Sequence, residues 1–436
     1  MTDKPALAAG IGSPPSDSAA AHTRTMLWIL LVVYIFNFLD RQIVNILAEP
    51  IKRDLHLTDT ELGLLAGPAF AVFYALLGIP IARYADKDGT NRVRLIALAL
   101  AIWSAMTAVC GLAQNFVQLL FARIGVGVGE AGCTPAAHSL ISDSVAPEKR
   151  SSAIAFYGLG VPIGSLLGLV IGGIVNDLHG WRVALMLVGA PGLLLALIVL
   201  VCMREPRHHR PAGTAAAAPA RLSTGEAMRE IFASRAFVYI LIASSVVAFL
   251  GYGKALWTIS FFIRSHGLST TEAGLSMAVV LGLAGVFGTW LGGKMADKFG
   301  ARDKRHILTF PAYGMAVAAP ILFLGYYMEN WLIAVALLIV PTILNSAYYG
   351  PAYGCVQGLV RPQARAVAAS IMLFGQNLIG LGFGPFLFGV LSDLLAPAYG
   401  QESVRYVLYG AAWLGLIPAF FFWRASLRLN AELKSG

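Results

Sequence analysis

Charge is what this chain has least of. Only 13% of its 436 residues are Asp, Glu, Lys or Arg, against 57% apolar residues, and the mean hydropathy is +0.71. That balance excludes a soluble domain built on one core, because more apolar side chain is present than such a core could hide. Cysteine is scarce as well: Cys110, Cys133, Cys202 and Cys355 all lie in apolar stretches without metal-ligand spacing. They imply no disulfide framework and read as small buried hydrophobes. The first 25 residues, rich in Ala, Ser, Pro and Gly, lack the basic-then-apolar order of a cleaved leader and are expected to be disordered. No HExxH or GxSxG motif marks a hydrolase, so an enzyme is not expected.

What the chain does have is a succession of apolar windows, each long enough to cross a hydrocarbon layer of about 30 Å. They run over 26–49, 60–84, 93–113, 116–140, 151–176, 182–203, 235–262, 270–294, 306–328, 331–355, 365–392 and 403–425. Charged or Gly/Pro-rich breaks separate them. The expected fold is therefore an all-α polytopic membrane protein of twelve transmembrane helices.

A formal net charge of +9 would suit a polyanion partner, but the bases are one-sided. Lys87, Arg92, Arg94, Lys149, Arg150, Arg204, Arg207, Arg210, Arg221, Arg229 and Arg235 occupy alternate loops, and Lys294, Lys298, Arg302, Lys304, Arg305, Arg361, Arg365, Arg424, Arg428 and Lys434 continue the same side. The opposite loops hold only Lys52, Arg53, Arg182, Arg264 and Arg405. This asymmetry orients a membrane protein with both termini and the central loop in the cytoplasm. No nucleic acid is implied.

Residues 204–234 form the only long polar interruption and divide two six-helix halves, 26–203 and 235–425, followed by a cytoplasmic tail over 426–436. Phrases recur across the boundary. Ala85-Asp86-Lys87 with Gly89 follows the second span, and Ala296-Asp297-Lys298 with Gly300 follows the eighth. Arg150 opens a Gly-rich span ending at Asp177, as Arg365 opens one ending at Asp393. A spacing of roughly 210 to 216 residues indicates duplication, and paired six-helix halves are a transporter architecture.

Two other pattern matches fail on context. Gly127-x-Gly129-x-x-Gly132 satisfies a dinucleotide fingerprint but lies within a membrane span, not at a strand-to-helix turn. Gly288 to Lys294 resembles a phosphate loop, but Met295 stands where Ser or Thr is required and no soluble ATPase domain surrounds it. His138, inside the fourth span, reads as a hydrogen-bonded interior residue before a ligand. Gly160, Gly164, Gly168 and Gly172 make a smooth stripe on the fifth span, echoed by Gly380, Gly382, Gly384 and Gly389 on the eleventh. Such stripes permit close helix contact.

Charge inside the bilayer is costly unless paired or facing a cavity, so intramembrane ions are candidates for function. Asp40 and Arg41 lie mid-way along the first span, with Asn37 one turn earlier. Arg123 and Glu130 fall seven apart on one face of the fourth span, about 10.5 Å along its axis. If the two spans run in opposite directions, the first pair sits at a depth between the second pair, and cross-helix pairing is possible. The pairing would suit either a static staple or a titrating centre. Lys254, among Gly251, Tyr252 and Gly253 on the seventh span, either binds substrate or snorkels outward.

The Asp-containing loops resemble the signature loop of the major facilitator superfamily. Gly293-Lys294-Met295-Ala296-Asp297-Lys298-Phe299-Gly300 fits closely, while the first copy has Ala82 at the leading Gly and Thr90-Asn91 inserted before Arg92. The resemblance implies a conformational latch at Asp86, Lys87, Asp297 and Lys298 that closes the cytoplasmic side when the carrier faces outward, with an Asp at the positive end of a neighbouring helix. In that superfamily the Gly-Pro stripe of the fifth helix is associated with exchangers, although tight packing explains it equally well.

A narrower likeness lies in Asn37-Phe38-Leu39-Asp40-Arg41, Arg123-Ile124-Gly125-Val126-Gly127-Val128-Gly129-Glu130-Ala131 and Ser142-Asp143, which is similar to the spinster branch. That branch implies transport of lysolipids or sphingoid phosphates in animal relatives. The resulting expectation is a proton-coupled secondary transporter for an amphipathic or anionic lipid-like molecule, the proton gradient standing in place of any cofactor. Asp40 and Glu130 would couple protons; Arg41, Arg123, Asn37 and Lys254 would bind substrate. A general organic-anion or drug exporter is the alternative. A monomer in a bacterial inner membrane is expected.

Overall fold

The computed structural model describes residues 17–87, 89–146, 149–206 and 224–433. Among these, eleven helical stretches are long and apolar enough to cross a membrane: Ala21–Ile46, Asp59–Ala85, Arg92–Cys110, Phe116–Ser144, Ser152–His179, Trp181–Cys202, Arg235–His266, Thr270–Gly300, His306–Tyr327, Trp331–Leu359 and Pro362–Glu432. The last is 71 residues, about 107 Å if straight, several times the apolar thickness of a bilayer. It turns back at Gly400, whose φ of 55° suits glycine, and Ser392 then meets Ser403 with hydroxyls 2.8 Å apart. Two crossings, 365–399 and 403–432, result. The twelve spans are numbered here in chain order.

The expected boundaries shift at the ends. The first helix begins at Asp17, so residues 17–25, expected to be disordered, extend the first span. The central segment carries a short helix, Thr224–Ala233, whose Glu230 accepts from Arg361 Nε at 2.7 Å. Arg207, Arg210 and Arg221 lie outside the described residues, as does Lys434; helix continues through Glu432 in what was expected to be tail.

The twofold repeat organises the packing. The second span runs against the eleventh, the fifth against the eighth and the first against the seventh, so these spans form the seam between halves. All four outer seam helices depart from regular α geometry in mid-membrane. The second breaks at Gly67 before Pro68 and the fifth at Leu159, whereas the eighth and eleventh carry π-turns at Ala278–Leu283 and Gln376–Phe383. Such insertions free backbone groups and allow a helix to bend.

Glycine sets the closest approaches. A Cβ on Gly63 would lie 2.5 Å from the Pro385 carbonyl oxygen across the seam, and one on Gly168 would lie 2.7 Å from the Leu39 carbonyl oxygen. The fifth-span stripe thus packs on the first span within one half.

The face opposite the termini, termed the far face, is where the halves are joined. The larger buried core, from Leu30 through Trp257 to Ala411, crosses the seam there; a second, around Phe237, Leu308, Cys355 and Phe422, is confined to the C-terminal half near the termini. Every cross-half hydrogen bond and ion pair between described residues lies on the far face.

Candidate functional site

The four intramembrane charges of the first and fourth spans do come together. Arg41 Nε donates to Glu130 Oε2 at 2.7 Å, and Glu130 is fully buried. The Arg41 guanidinium is also ringed by Phe38, Phe70 and Tyr74, with centroids at 5.1, 4.9 and 4.7 Å. A guanidinium held over aromatic faces keeps its charge in a dry setting, because the ring quadrupoles replace part of its hydration.

Asp40 and Arg123 do not form the second ion pair. Asp40 accepts from Thr107 of the third span at 2.6 Å, and Arg123 Nε makes a long contact of 3.4 Å to the Leu65 carbonyl. The Phe70 ring lies within 5.4 Å of the Arg123 guanidinium as well as beside Arg41. Adjacent residues on one helix point about 100° apart, which sends Asp40 toward Thr107 of the third span while Arg41 faces Glu130 of the fourth. Among the described residues, Asp40 Oδ1 and Glu130 Oε1 find no hydrogen-bond partner, and neither do the amide atoms of the buried Asn37. Buried polar atoms are nearly always satisfied, so this cluster is atypical.

Next to it a cavity of about 390 Å³ opens, lined chiefly by the C-terminal half. Lys254 lies on its wall with Tyr252, Tyr348, Tyr349, Gln376 and Asn345, and its apolar side is formed by residues such as Met277 and Leu322. Lys254 has no acid partner among the described residues. It therefore faces the cavity and does not snorkel. Gln42, Ser165 and Leu169 represent the N-terminal half on the lining, and Tyr252 lies within electrostatic range of Arg41.

The far face closes this cavity from one end. Arg264 of the seventh span donates from Nε to Glu49 at 2.8 Å and from both terminal nitrogens to Asp59, at 2.8 and 2.6 Å. Lys52 also pairs with Asp59, and Ser392 of the eleventh span donates to it at 2.6 Å. Four of the five bases expected on this side, Lys52, Arg182, Arg264 and Arg405, each reach a carboxylate.

On the termini face, Asp86 accepts from Ser139 of its own half at 3.1 Å, and Lys298 stands 5.7 Å from the Phe299 ring. The latch residues Asp86, Lys87, Asp297 and Lys298 thus lie at the ends of the second and eighth spans, on the side where no described residues bond across the halves. His138 packs edge-on to Tyr157, with centroids 5.5 Å apart, but it is exposed and makes no side-chain hydrogen bond among the described residues, unlike the interior residue expected.

A buried arginine–carboxylate pair beside a closed-ended cavity between two repeated six-helix halves is the arrangement of a solute carrier, and the comparisons agree. The Major Facilitator Superfamily profile matches residues 30–385. The solved structure of a bacterial homolog of the human lysosomal transporter spinster, inward-facing and unoccupied, superposes with a TM-score of 0.87 at 31% identity, covering 97% of this chain and all of that one. This chain is a major facilitator superfamily transporter of the spinster type. An MFS-type efflux pump of Mycolicibacterium smegmatis is 32% identical over 96% of this chain and 97% of that protein, and protein spinster homolog 1 of Xenopus tropicalis is 26% identical over 95% and 82%. The transporter is closed on the far face.

The sequence did not single out the far-face cluster or the cavity tyrosines. The signal for the cluster was present: far-face bases are rare, and each is followed or preceded by an acid in a neighbouring loop. The tyrosines carried no such mark, because an aromatic residue in an apolar span packs in a core or lines a cavity with the same sequence signature.

Proposed function

We propose that this transporter carries an amphipathic anion by proton-coupled alternating access. The observation that carries the reading is the Arg41 to Glu130 pair, with an unpartnered oxygen on Glu130 and another on Asp40, beside a cavity that holds the unpaired Lys254. Each acid keeps an oxygen able to take a proton without breaking an existing contact. Movement of one half against the other would change water access to these oxygens and the Arg41 to Glu130 separation, so a proton gained in one state leaves in the other. Arg41 and Lys254 would receive the anionic end, and the apolar wall would hold the tail. Arg123 and Asn37 would hold the acids in place behind them. Asp86, Lys87, Asp297 and Lys298 would latch the termini face in the opposite state.

The alternative, a general organic-anion or drug exporter, is favoured by the full-length similarity to a protein described as an efflux pump. Both readings are tested in liposomes by comparing lysolipids with single-ring organic anions, with and without a pH gradient. Glu130→Gln and Asp40→Asn should abolish gradient-driven accumulation yet leave counterflow exchange, since the amides cannot titrate. Accumulation by a well-folded double variant in response to pH would overturn the coupling assignment.

A further inference from the structure

The two seams of the far face are closed by the same device, used twice. The second span begins Thr58-Asp59-Thr60-Glu61 and the eighth begins Ser269-Thr270-Thr271-Glu272, and each forms a capping box in which the first and fourth residues satisfy one another's backbone N–H. That leaves the N–H groups of the two residues between them without an intrahelical partner. In both cases the missing acceptor comes from the other half. Asp393, at the end of the eleventh span, accepts from Asp59 N at 3.0 Å and Thr60 N at 2.7 Å. Asp177, at the end of the fifth span, accepts from Thr271 N at 2.7 Å, while Asn176 beside it donates to Thr270 at 2.9 Å.

We propose that Asp177 and Asp393 are matched positioning residues that hold the far face shut, each capping the helix that opens the second span of the opposite half. The inference rests on the alternating-access reading but on neither the proton nor the substrate assignment. A carboxylate suits the place on two counts: it accepts charge-assisted hydrogen bonds, and its charge meets the positive end of a helix. Separation of the halves breaks these contacts and returns both the N–H groups and the acids to water, so the clasp can open without stranding a buried charge. The two seams are unequal. Asp393 uses both oxygens and stands beside the Arg264 cluster, whereas Asp177 makes one backbone contact. The seam of the second and eleventh spans is therefore the stronger.

The test uses the full chain with exposed Cys202 replaced by Ser and spin labels on Leu112→Cys and Tyr327→Cys, which are exposed far-face positions of opposite halves. Distances are measured in nanodiscs without substrate or pH gradient, so failure of the coupling assignment does not affect the result. Asp393→Asn should raise the ratio of separated to closed far faces roughly tenfold, because an amide has one acceptor for two donors. Asp177→Asn should raise it about threefold, since the amide keeps a neutral hydrogen bond. Asp393→Glu should fall between wild type and the Asn variant. Asp303→Asn, which alters a cap inside the C-terminal half, should leave the distances unchanged. Folded Asn variants with wild-type distance distributions would overturn the proposal, and Asp177→Asn alone suffices if Asp393→Asn is not recovered folded. A shift of equal size in Asp303→Asn would also overturn it, by showing that any lost cap loosens the molecule.

Discussion

Lys254→Met is expected to move binding and stability in opposite directions. The ammonium stands on the wall of the cavity with no acid partner among the described residues, 12 residues or about 18 Å from the far end of the seventh span at His266. A charge removed from bulk water without a counter-ion is destabilising, whereas methionine fills similar space with no charge to solvate. The variant should therefore be at least as stable as wild type, by up to about 1 kcal/mol after allowance for residual hydration from the cavity. An anionic ligand loses a hydrogen bond to a charged donor, worth about 1.5–3 kcal/mol, which weakens binding roughly 10- to 150-fold. Binding of a single-chain anionic lysolipid would be followed by fluorescence in detergent, alongside the thermal unfolding midpoint. A neutral lysolipid ether of the same chain length should lose far less. Unchanged affinity for the anion, or a lowered unfolding midpoint, would refute the reasoning and make Lys254 a structural residue.

Three further outcomes follow from other parts of the molecule. Arg264→Ala leaves Glu49 and Asp59 nearly fully buried with only Lys52 nearby, a loss of about 3–5 kcal/mol that opening the far face relieves; hydrogen exchange over residues 56–62 should accelerate, and unchanged protection would count against the gate. Gly168→Ala places a Cβ 2.7 Å from the Leu39 carbonyl oxygen, so a net loss of about 1–3 kcal/mol in unfolding measurements is expected despite alanine's better helix propensity. If it is neutral, the stripe is not set by close packing. Lys304→Cys, exposed between the eighth and ninth spans, should resist impermeant label in intact cells, since short loops rich in Lys and Arg are generally retained in the cytoplasm; ready labelling would reverse the orientation.

Much of this protein was decided by its sequence alone. Spans of sufficient length and apolarity must lie in lipid, and a membrane leaves helices as the way to satisfy backbone groups within a segment, so twelve crossings follow from composition and breaks. Duplication was legible because Asp86 and Asp297, or Asp177 and Asp393, occupy matching places in the two halves. The cost of intramembrane charge likewise marks Asp40, Arg41, Arg123 and Glu130 in the sequence. Which of them pair was not legible, since a one-residue step along a helix turns a side chain by about 100° and the partner depends on helix rotation. Only the assembled bundle put Arg41 against Glu130 and turned Asp40 to Thr107. The same holds for the far face, where Asp393 reaches Asp59 and Thr60 across 333 residues of chain or more, a proximity set by how the two halves meet and by no local pattern.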